Sequence, residues 1–538
     1  MSDWRTRQRI RLQWIVVRAQ RYWLPGVVLR WICRAGTWNV CRRLVKIPGV
    51  EAVYARHTHP QSASFVPGYS DLDLSVVLSD RAGDIPEITE TVAELLERRR
   101  LYYYYLNPQD ARIISAGELA RLTGKYSAVE ILVSPADWKL LAGREMRREA
   151  PPRRPARKLP WHPEFNNWWG HILQDYLLIP MPGLENQYHR VFYRAAIKQS
   201  AYFMLARGLD PPRPGSPGGQ GLAEWVFRND PTMRELLSGL GQRDFWEAGQ
   251  RGIRELIFHD VLSKAADFFV EFSSSAGIAG RKKSVPAKDG PHDEAYSSLA
   301  SKLEGISGLK SSLTDVLAYP TPYFYPYFYQ ADLLLPENIS AEGLSKLADL
   351  LRKEFGGREF GVKGRYFSIT LVPEKVYRTP LALRGKPFPF LVEHVERHGR
   401  MLFSSEQWTA GASAGRDELI DWCRMFFPFF AFNLGRRVEH SSRTLNFCHI
   451  AAVRLYLQTG EIVTDPTVLR GRHRAVFGDE SPPAAVWEYL QRDKPGRRER
   501  TLYRSAASHL AQELGKVEIM LDGAEDQRLS GVVMASLR

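Results

Sequence analysis

Apolar residues in the first 150 positions fall into short runs that are bounded by Gly, Pro or charged residues. The runs V-E-A-V-Y-A-R at 50–56, D-L-D-L-S-V-V-L at 71–78 and A-V-E-I-L-V at 128–133 have the length and β-branched content of buried strands. Between the second and third runs, apolar residues recur at helical spacing: Ile85, Ile88, Val92, Leu95 and Leu96. The pattern therefore predicts a strand-helix-strand unit.

Three other stretches have a different character. Residues 4–45 mix Arg with Trp, Leu, Val and Ile, and predict two helices interrupted at Pro25-Gly26. Such basic, Trp-rich helices can pack on the strands or make a peripheral contact with a membrane surface. Residues 144–158 are rich in Pro and Arg and predict a connector. Residues 275–295 hold almost no large apolar side chain and predict a flexible linker.

The second half of the chain repeats the order of elements in the first. The run Y-Q-A-D-L-L-L-P at 329–336, a helix capped by Ser340 and the run Y-F-S-I-T-L-V-P at 366–373 follow one another like the strands and helix described above. We therefore expect an α/β (α+β) protein in which a mixed sheet with flanking helices and a helical bundle is duplicated in tandem.

The repeat also divides the chain into expected domains. They are a first sheet with the basic N-terminal helices, a helical domain, a flexible linker, a second sheet and a C-terminal helical domain: 1–145, 146–274, 275–295, 296–405 and 406–538.

Two carboxylates stand one residue apart at the open end of the 71–78 strand. Because successive side chains of a strand point to opposite faces, Asp71 and Asp73 project to the same side. Two such carboxylates repel each other unless a cation lies between them, and oxygen ligands suit Mg²⁺. A sequence of this kind can also form a turn in which the Asp side chains cap backbone N–H groups.

The sequence S-D-L-D-L at 70–74, which follows a Pro-Gly turn, resembles the S-D-x-D-L motif of the DNA polymerase β-like nucleotidyltransferases. The resemblance covers about residues 30–270. It implies the mixed sheet of that family, Mg²⁺ as cofactor and a nucleoside triphosphate as substrate. It also implies three catalytic and metal-binding carboxylates: Asp71, Asp73 and Glu130.

The same resemblance implies which side chains contact the substrate. The family has a Gly-Ser pair upstream of its motif, and this chain has His57 and Thr58 there. Thr58 still offers a hydroxyl and a backbone N–H to a phosphate. Ser70 belongs to the motif itself. Arg194 and Lys198 share one face of a predicted helix, which either contacts the triphosphate or is a solvated basic stripe.

The second copy does not keep this set of carboxylates. Asp332 matches Asp73, but Gln330 stands in the place of Asp71 and Ser368 in that of Glu130. One carboxylate cannot hold two metal ions, so we expect the second copy to be catalytically inactive.

Composition narrows the class of protein and its partners. The chain has 538 residues, 44% of them apolar, and a net charge of +14, which favours an anionic partner such as a nucleotide, a nucleic acid or an anionic membrane. Its 4 cysteines lack metal-binding spacing, which indicates reduced thiols and no zinc site. The N-terminus lacks an uninterrupted apolar core of the signal-peptide kind, and the sequence has no run of about 18 apolar residues. We therefore expect a cytoplasmic protein without a transmembrane segment.

Two hypotheses of different class remain open. The first is a nucleotidyltransferase that transfers a nucleoside monophosphate to an unidentified hydroxyl acceptor by a two-metal mechanism. The second is a catalytically inactive binding or scaffold protein for nucleotide or nucleic acid, which the replacement of Gly-Ser by His57 and Thr58 favours.

Overall fold

The structure is a computed structural model, and it describes most of both predicted sheets and of the helices around them. The described residues are 15, 16, 19, 22–56, 59–61, 65, 67, 70, 72–82, 85–100, 105, 111–117, 119, 138–147, 173–178, 195–201, 203, 204, 207, 209, 220–237, 253–275, 283–284, 292–323, 328–356, 359–379, 390–404, 407–408, 440–490, 509, 512, 513, 516, 517 and 520. Within them the fold is mixed α/β with two mixed sheets, as expected.

The first sheet has the strand order β3-β2-β1-β4. Strand β1 is antiparallel to β2 and β4, and β2 is parallel to β3. The strands are β1 (Val50–Ala55), β2 (Leu74–Leu78), β3 (Arg112–Ser115) and β4 (Lys139–Gly143). Helices α1 (Trp23–Leu44) and α2 (Ile85–Arg100) share a core with one face of this sheet. The strand predicted at 50–56, which the structure has at Val50–Ala55, and the helix after β2 are confirmed.

Helix α1 runs through Pro25-Gly26, so the interruption predicted there was wrong. The extended residue is Tyr22, with φ −97° and ψ 133°, and the helix begins directly after it at Trp23. Pro25 thus lies in the first turn, where a backbone N–H has no partner within the helix and its loss costs little.

The second sheet has the strand order β10-β6-β7-β9-β8. Strand β7 is parallel to β9 and antiparallel to β6, and β10 pairs antiparallel with β6. The strands are β6 (Asp315–Pro320), β7 (Phe328–Leu335), β8 (Glu359–Val362), β9 (Arg365–Pro373) and β10 (Arg400–Met401). Helix α7 (Asp293–Glu304) precedes the sheet, and α8 (Ala341–Phe355) connects its parallel strands. The Oγ of Ser340 accepts a hydrogen bond from the N–H of Gly343, which confirms the predicted cap.

Without its extra edge strand β8, the second sheet has the same strand order and strand directions as the first. In each, the first and second strands are antiparallel, a helix leads to a third strand parallel to the second, and a fourth strand pairs with the first.

Helices of the 146–274 region share one buried core with the second sheet. They are α3 (Leu173–Leu178), the helical residues 195–201, α4 (Gln220–Asn229), α5 (Pro231–Leu237) and α6 (Ile253–Ser275). The Gln174 side chain donates to the backbone O of Leu371 at 2.9 Å and accepts from its N–H at 2.7 Å. A backbone amide of β9 is thus satisfied by a helix 197 positions earlier in the chain.

The remaining elements extend the second half. A short pair joins β5 (Lys283–Ser284), inside the predicted linker, to β11 (Gln407–Trp408). The C-terminal helices form a separate core with the side chains of Tyr323 and Phe390. The helices of this core are α11 (His440–Thr459), α12 (Pro466–Phe477) and α13 (Ala484–Leu490). The short helices α9 (Glu374–Tyr377) and α10 (Leu391–His398) instead belong to the core of the second sheet. Among the helices that the structure describes, none is both long and apolar enough to cross a bilayer.

Candidate functional site

Asp73 and Arg56 meet at one end of the first sheet. Asp73 directly precedes β2 and Arg56 directly follows β1, and the N–H of Arg56 donates to the backbone O of Asp73 at 3.0 Å. This bond extends the ladder of the two strands by one residue beyond the Ala55–Leu74 pair. The Nη2 of Arg56 lies 3.7 Å from Oδ1 of Asp73. The Arg56 side chain is buried, whereas that of Asp73 is 19% exposed and can still meet a ligand.

The residues around this pair are mostly basic. Lys139 of β4 is the cross-strand partner of Ala55, next to Arg56. His59 follows in the chain, and Nε of Arg34 donates to the O of Pro60 at 2.9 Å. Burial, and then the charges of Lys139 and Arg34, lower the pKa of His59, so its ring is neutral at pH 7. The described part of this end thus carries more positive than negative charge, which suits an anionic ligand.

The segment that leads into Asp73 is fixed against α1. The N–H of Leu72 donates to the O of Tyr105 at 2.8 Å, and the Tyr105 hydroxyl donates to the O of Cys33 at 2.8 Å. Ser70 is buried, and the ring of Phe65 packs edge to face against Tyr105. The position of Asp73 is therefore set from both sides, by the β1–β2 ladder and by α1.

Asp73 projects to the sheet face that α1 and α2 do not cover. Strand alternation places Asp73 on the same face as Ser75, and Arg56 on that of Tyr54. Tyr54 belongs to a small core on this face, separate from the core that the two helices share with the sheet. Ser75 Oγ and Trp138 Nε1 are buried there without a hydrogen-bond partner in the part of the chain that the structure describes.

A charged cluster covers another part of the same face. The Tyr54 hydroxyl donates to Oε1 of Glu145 at 2.8 Å and accepts from the N–H of Met146 at 2.7 Å. Arg147 donates to both carboxylate oxygens of Glu145 and to the O of Trp138. These Arg147 bonds lower the pKa of Glu145 to about 2, against the opposing effect of burial. Burial raises the pKa of Tyr54 to about 12. The cluster fixes the segment after β4 and is not set up for proton transfer near pH 7.

Only some of the predicted site residues fall in the described part of the chain. The structure brings Ser70 and Asp73 to this end of the sheet. Lys198 is half-buried on the helical residues 195–201, whose apolar side chains belong to the core of the second sheet. The other predicted site residues lie outside the described residues: His57, Thr58, Asp71, Glu130 and Arg194.

The parallel neighbour of β2 is β3, in which Arg112 pairs with Ser75. The sequence pattern did not predict this strand, and it assigned the neighbouring place to residues 128–133. This strand has four residues, with Ile113 and Ile114 at its centre, and is too short to show an alternation of apolar and polar side chains. Residues 128–133 lie outside the described residues.

Sequence patterns also missed Arg56, Lys139 and His59. Arg56 becomes a neighbour of Asp73 only through the register of β1 on β2, and Lys139 only through that of β4 on β1. Such pairings between distant residues leave no signal at fixed spacing in the chain.

Asp332, which the sequence pattern aligns with Asp73, lies inside β7 and is buried. Asp332 is the cross-strand partner of Leu317, its side chain is 1% exposed, and the Tyr319 hydroxyl donates to its Oδ2 at 3.3 Å. Gln330 Oε1 on the same strand and Thr370 Oγ1 on the neighbouring β9 are buried without a hydrogen-bond partner in the described part of the chain. No cationic side chain is paired with Asp332 by register, in contrast to Asp73.

The described residues hold no group of three or more His, Cys, Asp or Glu side chains arranged to bind a metal ion. Of the three predicted ligands, Asp73 alone is among them. Comparison with protein-family descriptions, with curated proteins and with solved structures found no match to this chain.

Proposed function

We propose that this protein is a Mg²⁺-dependent nucleotidyltransferase that transfers a nucleoside monophosphate from a nucleoside triphosphate to a hydroxyl acceptor. The observation that carries the proposal is the position of Asp73. Its partly exposed carboxylate stands at the start of a central strand, on the sheet face opposite α1 and α2, at an end rich in Arg and Lys. Such a site can attract a triphosphate and hold a cation against it.

The donor set that the sequence offers fits Mg²⁺. Asp71, Asp73 and Glu130 would hold the ion, because carboxylate oxygens are the ligands that Mg²⁺ prefers. Bound there, Mg²⁺ would offset the negative charge of the triphosphate and of the leaving pyrophosphate. Arg56 lies 3.7 Å from the Asp73 carboxylate and orients it.

The other residues in the proposal bind the substrate or move a proton. Thr58 and Ser70 offer hydroxyl groups to the phosphates, and Arg194 and Lys198 offer positive charge. Glu130 accepts the proton of the attacking hydroxyl. Lys198 lies on a helix whose apolar side chains belong to the core of the second sheet.

We further propose that the two sheets arose by duplication of one nucleotidyltransferase-like unit. Their shared strand order, shared strand directions and helix between the parallel strands support it. In this proposal the second copy is inactive, because its carboxylate Asp332 is buried and Gln330 and Ser368 replace the other two acids.

One observation favours the second hypothesis, an inactive nucleotide-binding or nucleic-acid-binding scaffold. The guanidinium of Arg56 already supplies a positive charge 3.7 Å from the Asp73 carboxylate, so that carboxylate has a counter-ion from the chain itself. A protein that uses this pair in place of a metal would bind a nucleotide without catalysing its transfer.

The experiment that separates the two hypotheses measures nucleotide binding and pyrophosphate release together. The purified protein is titrated with each of the four ribonucleoside triphosphates by calorimetry, with Mg²⁺ and with EDTA, and pyrophosphate is assayed with RNA ends and small polyols as acceptors. The enzyme hypothesis expects Mg²⁺-dependent binding and pyrophosphate release, both lost in Asp73→Asn and retained in Asp332→Asn. Binding that is unaffected by EDTA, without pyrophosphate release, would establish the scaffold. Absence of binding to any of the four nucleotides would refute both the enzyme and a scaffold that binds these nucleotides.

A further inference from the structure

Helix α1 has apolar residues on two opposite faces. One face is buried in the core of the first sheet through Cys33, Val40, Cys41 and Leu44. On the other, large apolar side chains recur at intervals of four residues and are exposed: Trp23, Leu24, Val27, Val28, Trp31 and Ile32. We call these six residues the α1 apolar face. Trp23 is 81% exposed and Trp31 is 68% exposed, so this face has no cover in the part of the chain that the structure describes.

The surroundings of this face are strongly basic. From Trp4 to Gly49 the sequence has 11 Lys and Arg residues and no Asp or Glu. Arg30 and Arg42 are exposed on the helix itself, and the guanidinium of Arg42 lies 4.6 Å from the ring centre of Trp38, a further exposed aromatic residue. An exposed apolar patch of this kind, rimmed by polar residues, is typical of an interaction site.

We propose that the α1 apolar face binds the surface of a membrane that contains anionic phospholipid. Trp side chains prefer the boundary between lipid headgroups and acyl chains, and Leu, Val and Ile beside them gain from burial among the acyl chains. Arg residues around the face are attracted to the phosphates of anionic lipids. The helix lies along the surface and does not cross the bilayer.

Charge and side-chain type distinguish this partner from two others. A nucleic acid would stack on Trp23 and Trp31, but it has no apolar surface for the aliphatic side chains between them. A second copy of the chain would bring two basic segments together without an acidic residue to pair with them. A lipid surface satisfies both the aliphatic residues and the positive charge.

The test is flotation of the full-length protein with vesicles. Two vesicle types are compared, phosphatidylcholine alone and phosphatidylcholine with phosphatidylglycerol. The variant is Trp23→Ser/Trp31→Ser, and the matched control is Tyr366→Ser/Val468→Ser, which removes two exposed apolar side chains far from α1 in sequence. Thermal unfolding checks that the variants stay folded, and sedimentation velocity records the oligomeric state.

We expect wild type and control to bind the vesicles with phosphatidylglycerol, and the Trp variant to lose about tenfold or more in partition coefficient. Arg30→Gln should weaken binding by about fivefold. Equal binding of the Trp variant, no binding of wild type, or equal binding to both vesicle types would overturn the proposal. The proposal would also be overturned if wild type bound no vesicles but formed a dimer, or bound RNA, and the Trp variant lost that dimer or that RNA binding.

Discussion

The sequence patterns of the two halves align Asp73 with Asp332, but the two residues differ in position and surroundings: Asp73 directly precedes β2, whereas Asp332 lies inside β7. Asp73 is partly exposed and faces Arg56, whereas Asp332 is buried beside Leu317 and accepts a hydrogen bond from Tyr319. The first environment places a cation beside the carboxylate and leaves it within reach of a ligand, and the second closes it off. Strand topology alone therefore does not define a site, because the residue opposite the carboxylate decides its chemistry.

Replacing each carboxylate by an amide tests most directly whether the two Asp residues differ in function. We expect Asp73→Asn to lower nucleotidyl transfer by about 100-fold or more, as loss of a metal ligand does, and Asp332→Asn to change it by less than about threefold. Pyrophosphate release under single-turnover conditions measures both. Each variant is the control for the other, and the reverse order of effects would place the active copy in the second half.

Stability of the second half should depend strongly on one buried glutamine. Gln174→Leu leaves the N–H and O of Leu371 without their partner, so we expect unfolding free energy to fall by about 3 kcal/mol. Gln199 is the matched control, because it is also buried on a helix of this core but its amide has no hydrogen-bond partner in the described part of the chain. Gln199→Leu should leave stability unchanged or raise it, as measured by urea unfolding. An equal loss in both variants would contradict the role of the Gln174 bonds.

Acid should destabilise the second half through buried histidines. The Nε2–H of His394 donates to the O of Pro320 at 2.7 Å, and Nδ1 lies 2.9 Å from the Thr464 hydroxyl. Burial, followed by the charge of His398, lowers the pKa of His394 to about 3, and burial lowers that of His292 to about 4.

These histidines bind protons in the unfolded chain at a higher pH than in the folded one. Their contribution is therefore complete above pH 6.5 and is lost as pH falls towards 3. His394→Gln should reduce the slope of stability against pH in this window by about 1.4 kcal/mol per pH unit at most. An unchanged slope between pH 6.5 and 4 would show that His394 takes up its proton while folded.

The smallest expected effect concerns a hydroxyl next to Asp332. Thr370 pairs with Asp332 by register, and its buried Oγ1 has no hydrogen-bond partner among the described residues. Thr370→Val should raise stability by about 1 kcal/mol without changing transfer activity. In the control Thr379→Val, the lost hydroxyl donates to the O of Val376 at 2.7 Å, and stability should fall by a similar amount. A loss of stability or of activity in Thr370→Val would contradict this expectation and indicate that the Thr370 hydroxyl binds a ligand.

Sequence patterns predicted the elements that local physics controls. The Ser340 cap and the strands at 328–335 and 365–373 follow from a capping residue and from long apolar runs. The pattern failed at β3, which is too short to show a period, and at Pro25, which is harmless in a first turn.

The candidate site was predictable only in part, because some of its residues are brought together by strand pairing. The spacing of Ser70 and Asp73 is visible in the chain, whereas the approach of Arg56 and Lys139 depends on strand register between residues far apart. A prediction of that register needs the pairing of whole strands, which no local motif encodes.

The bond between Gln174 and Leu371 also sets an order of events during synthesis. A ribosome that adds about 5 to 20 residues per second makes the second partner roughly 10 to 40 s after the first. The four strands of the first sheet have all been made before α3 is complete, so that sheet can form while the rest is being translated. The apolar side chains of helices α3 to α6, by contrast, stay exposed until the strands of the second sheet have been synthesised. We therefore expect a chaperone to be needed most during the synthesis of the residues between α6 and the end of β9.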